Sequence, residues 1–297
     1  MPLLMASLGL AMSLIKPVCL RCNALVDPTG IDTPKPQLSW KLEATNPSAT
    51  NLSQSAFEIR VSPSEKMDSA TLMTTGKVSG KQNFGQSIDS FGLESNKEYF
   101  WQVRVWDQDG SVSDWSEPAS FTSGLLKNSD WQAKWIGYDK PTNIDPKEKR
   151  QLPPPRFLRH EFSLPKKVKR ATLFCSALGN AEFYINGKRV GDEYFLPGWT
   201  DYNKRVYYRA YDVTSTLGGK NCMGAILGDG WFAGYVGFKP EREHYGKHPR
   251  VMGQINVEYT DGTEEVIATD TDWRASTGPM VYSDFLIGEY YDARKEL

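Results

Sequence analysis

No sign of charge dominates this sequence: 35 lysines and arginines stand against 36 aspartates and glutamates, a formal net charge of −1. A chain so balanced creates no long-range field to gather polyanions or an anionic membrane surface, which argues against nucleic acid as a partner. Histidine is scarce, and His160, His244 and His248 are too scattered for a metal cluster. His244 and His248 have the spacing of helical ligands, but REHYGKHP contains Gly and Pro and reads as a loop. Past the first fifteen residues nothing approaches the roughly eighteen consecutive apolar residues of a membrane helix, so no membrane span is expected. No long amphipathic stretch at the helical period stands out either, so helices are not expected to build the core. Cys19, Cys22, Cys175 and Cys222 are the only cysteines. The Cys19-x-x-Cys22 spacing lacks a second Cys or His cluster at zinc distance, and domains of this size do not depend on disulfides, so unpaired thiols are expected.

Aromatics, by contrast, make up 12% of the chain. They suit β-sandwich cores and sugar-binding surfaces alike. The opening MPLLMASLGLAMSLI is an apolar run of signal-peptide length, with Ala11-x-Ser13 as a small-residue cleavage site but no preceding Lys or Arg. Residues 1–17 are thus expected to be a signal peptide, which implies a periplasmic or extracellular protein, or else the disordered start of a cytoplasmic one. Asn51-Leu-Ser is a glycosylation sequon, of consequence only in a glycosylating secretory pathway.

From Val18 to Leu125, short β-patterned runs alternate with turn residues: LRCNALV, QLSWKLEA, SAFEIRVSP, EYFWQVRVWD and ASFTSGL, with PTGIDTPKP and DQDG among the turns. In EYFWQVRVW, Tyr99, Trp101, Val103 and Val105 alternate with Gln102 and Arg104, which predicts one buried and one wetter face. Residues 18–126 are therefore expected to form an immunoglobulin/fibronectin-III-like sandwich, residues 127–135 a linker, and residues 136–297 a second β domain. Asn143 to Pro155, NIDPKEKRQLPPP, reads as an exposed charged loop. From Arg156 onward, two hairpins are signalled by Asn186-Gly187 and Asp261-Gly262, each expected to adopt a type I′ turn.

GDGWFAGYVGF, residues 228–238, follows the apolar run CMGAIL, and its glycines approach the spacing of a dinucleotide-binding loop. That fingerprint requires a helix after the strand within a βαβ unit, whereas FAGYVGF carries two glycines and β-forming aromatics. The glycines are expected to serve turns and close packing around Trp231 instead.

Several phrases in order resemble a known family. LRCNALVDPTGIDTPKPQLSWKL, YFWQVRVWDQDGSVSDWSEPASFTSG and WQAKWIG resemble the amino-terminal sandwich of bacterial α-L-rhamnosidases of glycoside hydrolase family 78. AEFYINGKRVGDEYFLPGWTDYNKRVYYRAYDVTSTL, GDGWFAGYVGF and IGEYYDAR resemble their second sandwich. The resemblance implies an all-β chain of two consecutive antiparallel β-sandwiches, the second a galactose-binding-like jelly roll. It also implies that the catalytic carboxylates sit in an (α/α)₆ barrel past the YYDAR phrase, where a carboxylic acid and a carboxylate base work by inversion. No catalytic residue is carried over, and this chain alone is not expected to hydrolyse rhamnosides.

In some relatives the second sandwich holds terminal rhamnose through calcium, using an Asp-Asn pair before the strand ending in xNG. The corresponding place here is ALGNAEFYING, which keeps Asn180 but has Gly179 as its neighbour. Losing a carboxylate weakens a site for an ion that takes about six to eight oxygens, so calcium is an optional rather than a required cofactor. A second surface gathers Trp199, Tyr202, Trp231, Phe232 and Tyr235, with Asp201, Asn203 or Asp229 as polar partners for sugar hydroxyls. These aromatics would either stack on sugar or anchor the core or a neighbouring catalytic domain. Asp212 reads as a turn residue, and Glu289, Asp292 and Arg294 as a polar-aromatic cluster that either faces a neighbouring domain in a longer enzyme or forms a local salt bridge, which suffices to explain it. Three roles stand open: accessory region of an α-L-rhamnosidase, stand-alone binder of rhamnose-containing glycan, or structural tandem of sandwiches.

Overall fold

The structure, a computed structural model, describes residues 12–68, 70–139, 152–237 and 241–296. Most of the expected leader, residues 143–151 of the charged loop and Phe238 lie outside them. The chain divides into two compact units, with the division between Asp130 and Trp131.

In the first unit β1 (Ile15–Cys22) pairs with β2 (Gln37–Ala44), and β2 with the short β6 (Gln86–Ser87). The second sheet runs β4 (Met73–Thr74), β3 (Gln54–Ser62), β7 (Glu98–Asp107), β8 (Ala119–Thr122), with β5 (Val78–Ser79) also on β3. The alternation in β7 is realised: Tyr99, Trp101, Val103 and Val105 are buried, and the residues between them are half-buried. They meet Leu38, Trp40, Phe57, Ile59 and Phe121 in one core. Each Leu, Ile, Val or Phe so buried contributes about 1.5–3 kcal/mol relative to an exposed side chain. One strand differs from its sequence reading. β1 starts at Ile15, which is buried, and ends at Cys22, because Asn23 and Ala24 take positive φ (48° and 65°) and turn the chain. Its start hides in the sequence within an apolar run that also fits a leader.

In the second unit one sheet runs β13 (Tyr208–Asp212), β10 (Val168–Leu178), β15 (Arg250–Tyr259), β16 (Glu264–Ala268). The other runs β12 (Lys188–Arg189), β11 (Asn180–Ile185), β14 (Lys220–Gly228), β9 (Arg156–Ser163), β17 (Arg274–Ser276). A ribbon of β18 (Met280–Asp284) and β19 (Gly288–Tyr291) completes the unit. Leu173 and Ile255 from the first of these sheets pack against Phe183, Ile185, Met223 and Leu227 from the second, which makes the core of a sandwich. Ala171 through Ala177 on β10 form an unbroken buried run rather than an alternating one. Trp131 explains the covered outer side, packing edge-on against Phe174 and Tyr208 at centroid distances of 6.5 and 5.5 Å. The amides of Gln132 and Ala133 donate to Oε1 of the buried Gln254, so this connecting segment is built into the second unit.

Asn186 and Gly187 both have positive φ (52° and 78°), as the type I′ turn requires. The second hairpin departs from expectation. Only Gly262 has positive φ (83°), and Tyr259 N–H donates to Thr263 O across a three-residue loop of the kind that ends on a left-handed glycine. GDGWFAGYVGF holds a single helical turn, α1 (Gly230–Ala233), where the residue types argued against helix. One turn needs no helix propensity over a long window, and four residues make no phosphate site.

Candidate functional site

Three backbone segments meet at one end of the second sandwich. Asn180, the first residue of β11, pairs with Gly228, the last of β14, and Gly230 opens α1. Gly179 has φ 135°, and a Cβ there would collide with the carbonyl oxygen of Gly228. Gly230 has φ 50°, and a Cβ there would lie 2.6 Å from the Asn180 amide nitrogen. Both positions therefore demand glycine, and the aspartate that the calcium-type pair would place at residue 179 has no room. Asn180 presses against Gly230, and its Oδ1 is a buried acceptor without a hydrogen-bond partner.

Next to this junction Asp229, 4% exposed, is gripped by two guanidiniums. Arg156 Nη1 lies 2.5 Å from its Oδ1 and Arg242 Nη2 2.6 Å from its Oδ2. Arg242 also donates through Nε to the Ala233 carbonyl and lies over the Tyr235 ring. A carboxylate so engaged on both oxygens ties β9, the end of β14 and the chain after α1 together. Asp284 does similar work at the ribbon: Oδ2 accepts from Tyr235 N–H at 3.1 Å, and Oδ1 from Leu286 N–H at 2.9 Å.

The aromatic residues fall into two groups. Tyr202 and Tyr235 are buried, and Tyr202 packs edge-on to Phe232 and donates to Gly198 O. Trp199 is 52% exposed, stacks on Trp231 at 6.1 Å and 9°, and donates through Nε1 to the Tyr245 hydroxyl at 3.3 Å. Trp231 in turn touches Phe195 and Phe285. Phe195 and Tyr194 are exposed, at 57% and 74%.

Between these features opens a cleft of about 490 Å³. Asn180, Glu182, Tyr184, Phe195, Asp284 and Glu289 are among its lining residues. Its size falls in the range of small-molecule sites. Tyr184 donates its hydroxyl to Glu182 Oε2 at 2.7 Å, and burial together with that carboxylate pushes the phenol up to about 12, so it stays a protonated donor. Of the residues singled out in the sequence, Asn180 lines this cleft, and Trp199 and Trp231 form a stack beside Phe195. Tyr202, Tyr235 and Asp229 are turned inward as anchoring groups. Glu182, Tyr184, Tyr194, Phe195 and Asp284 were not singled out, and Glu289 was read only as part of a polar-aromatic cluster. The signal available was the alternation of β11, which puts Glu182 and Tyr184 on the same face as Asn180.

The donor set around Asn180 does not fit calcium. Asp229, the neighbouring carboxylate, is neutralised by two arginines, and residue 179 supplies no side chain. Among the described residues no group of three or more His, Cys, Asp or Glu is placed to hold a metal ion. All four cysteines are free thiols. Among the described residues no helix is long and apolar enough to cross a membrane. Asp212 accepts from Thr214 N–H, and Asp292 pairs with Arg294 at 2.7 Å, both local arrangements.

Fold and cleft together define a tandem of antiparallel β-sandwiches, the second bearing a solvent-open cleft of mixed polar and aromatic character. Residues 17–127 match the family described as Rha78A-like, N-terminal immunoglobulin domain, and residues 166–297 match the Alpha-L-rhamnosidase N-terminal domain. An α-L-rhamnosidase of Alteromonas sp. (strain LOR) is 34% identical over 295 residues, covering 95% of this chain and 31% of that protein. The solved Streptomyces avermitilis α-L-rhamnosidase complexed with L-rhamnose gives a TM-score of 0.86 at 27% identity, over 95% of this chain and 43% of that one. The α-L-rhamnosidase from Dictyoglumus thermophilum gives 0.84 at 34% identity, over 95% and 32%. The chain thus carries, in order, the two N-terminal domains of the α-L-rhamnosidases, the immunoglobulin-like one followed by the rhamnosidase N-terminal domain. It spans about a third of the length of the curated relatives it matches, at 31% for the Alteromonas protein.

Proposed function

We propose that this chain is the accessory, glycan-facing region of an α-L-rhamnosidase, with inverting hydrolysis of terminal α-L-rhamnose carried out by a catalytic domain outside these 297 residues. The observation that carries this reading is a match over 95% of the chain that takes in only 31% of the relative. The cleft at Asn180 would receive a terminal rhamnose of the glycan. Rhamnose presents a methyl group and apolar C–H faces, which suit Tyr194 and Phe195, while Glu182, Glu289 and the Asn180 side chain, which also line the cleft, suit its hydroxyls. Because Asp229 is occupied by Arg156 and Arg242, the sugar would be held without calcium. The Trp199–Trp231 stack would serve as the anchor for the neighbouring domain, its 52% exposed outer ring supplying apolar area.

Two measurements test the reading. The purified chain should not turn over p-nitrophenyl α-L-rhamnoside, and hydrolysis would remove the accessory role. Calorimetric titration with L-rhamnose should give the same weak affinity, about 1 mM, in EDTA as with calcium, and a weaker one for Asn180→Ala. Binding that appears only with calcium would overturn the metal-free mode.

A further inference from the structure

The outer face of the sheet β12-β11-β14-β9-β17 carries an open groove of about 680 Å³. Strand pairing lays out its floor. Tyr184 stands opposite Gly224, Gly224 opposite Arg159, and Arg159 opposite Arg274. Two steps along the strands, Ile226 stands opposite Phe157 and Phe157 opposite Ser276. Across the face, then, an aromatic ring and two guanidiniums flank a bare glycine, with a second aromatic ring alongside.

Two features of this row have no use inside the chain. Glycine weakens a strand interior, and a Cβ at Gly224 would meet only Leu158 O at 3.5 Å and Tyr184 Cβ at 3.9 Å, ordinary van der Waals contacts. Packing does not demand glycine there, so its effect is to keep the floor of the groove open. Like charges directly opposite one another destabilise a sheet. Arg159 has Glu161 at 3.1 Å as a partner, both more than half exposed, while the Arg274 side chain makes no ion pair or hydrogen bond among the described residues. Two guanidiniums against one solvated carboxylate leave the end of the groove positive. At the other side, Glu182 is engaged by Tyr184 and Arg189.

We propose that this groove binds an acidic oligosaccharide. Its rings would lie against Tyr184 and Phe157 across Gly224, and its carboxylate or sulfate would be held between Arg159 and Arg274. Planar guanidinium forks match such anions with paired hydrogen bonds. A saccharide fits the floor better than an acidic peptide because β11, β14 and β9 are each paired on both sides, so a peptide lying between Tyr184 and Phe157 finds no backbone edge to join there; the free edge on the Arg274 side is that of β17. The groove shares Tyr184 and Ile226 with the cleft at Asn180 but uses neither Asn180 nor Phe195, so the proposal stands whether or not that cleft takes rhamnose.

The test is titration of the full chain with trigalacturonate, its neutral methyl ester, a κ-carrageenan tetrasaccharide sulfate and hexaglutamate. Saturable binding of at least one acidic sugar is expected at about 0.1–1 mM, weakening with salt, with the methyl ester at least tenfold weaker than trigalacturonate. Gly224→Val should reduce binding at least tenfold while leaving the melting temperature unchanged or raised. Arg274→Gln, a change on the exposed edge strand β17, should weaken binding about tenfold and flatten its salt dependence; it also serves as the test should the valine variant fail to fold. The proposal is overturned if neither acidic sugar saturates below about 5 mM, if binding survives the substitutions, or if hexaglutamate is preferred.

Discussion

The two units each expose a sheet face rich in arginine and aromatic side chains, and they treat it in opposite ways. In the first, Glu58 stands opposite Arg104 across β3 and β7, and the pair closes to 2.6 Å. Arg104 lies over both Trp106 and Trp115, Arg60 over Trp115 at 4.2 Å, and Lys77 over Trp106 at 4.6 Å. Arg60 donates to Gln102 as well. Each of these three cations is engaged by a neighbour, and the face is a finished ladder. In the second unit, Arg159 and Arg274 oppose each other, and Gly224 leaves a gap where a side chain would fit. The same residue types thus close one surface and leave the other in need of an anion. Pairing register decides which, since it sets opposite charges across the strands in one case and like charges in the other.

The contrast between the units is sharpest where the second depends on charge inside it. Asp229→Ala would leave Arg156 and Arg242 buried without a counter-ion, at a cost of about 3–5 kcal/mol. Denaturant unfolding followed by hydrogen exchange should show β9 to β19 loosened and β1 to β8 unchanged. Equal protection in both units would mean that the triad is dispensable. The corresponding buried carboxylate of the first unit is Asp107, which accepts N–H groups from Leu14, Asp109 and Ser111 at 2.9–3.0 Å. Burial alone would raise its pKa, but the three amides hold it below the ordinary 3.8. A carboxyl with a depressed folded-state pKa contributes stability that is present above the unfolded value and lost as pH falls through the folded one. The first unit should therefore weaken as pH drops below about 4, and Asp107→Asn should cost about 1–3 kcal/mol at pH 7 and remove most of that pH dependence. A mutant with an unchanged acid limb would show that other carboxylates set it. On the finished ladder, Trp115→Ala removes the ring shared by Arg60 and Arg104 and should lower stability by about 1 kcal/mol, read from the urea midpoint.

How much of this is legible in the sequence follows from the range of each interaction. β7 is readable because alternation is a local property, and the Asn186-Gly187 turn because two adjacent residues must both accept positive φ. The start of β1 is not, since Ile15 lies in a run whose apolar character fits a leader equally well. Asn180 stands out beside its phrase, yet what surrounds it does not. Arg156 and Asp229 are 73 residues apart, and Arg242 another 13 beyond, so no sequence period links the triad that withdraws Asp229 from ligand duty. Likewise Trp199, Trp231, Tyr202 and Tyr235 look alike as residue types; only the packing separates the exposed stack from the two buried rings. The groove at Gly224 needs the register of four strands.

The smallest expected effect is the most direct test of the contrast between the faces. Arg274→Thr removes a cation from an exposed edge strand where the opposing residue is also a cation, and it substitutes a β-branched residue that suits a strand. Stability should stay level or rise by at most a few tenths of a kcal/mol, with the gain larger at low ionic strength, because like-charge repulsion between exposed groups is screened within about 10 Å at 0.1 M salt. Trp115→Ala in the first unit should move the other way and show little response to salt, since its loss is one of packing and ring electrostatics. Matching losses from the two substitutions would mean that Arg274 is held by its own sheet as firmly as the ladder residues are by theirs, and the second face would then be no more open to a ligand than the first.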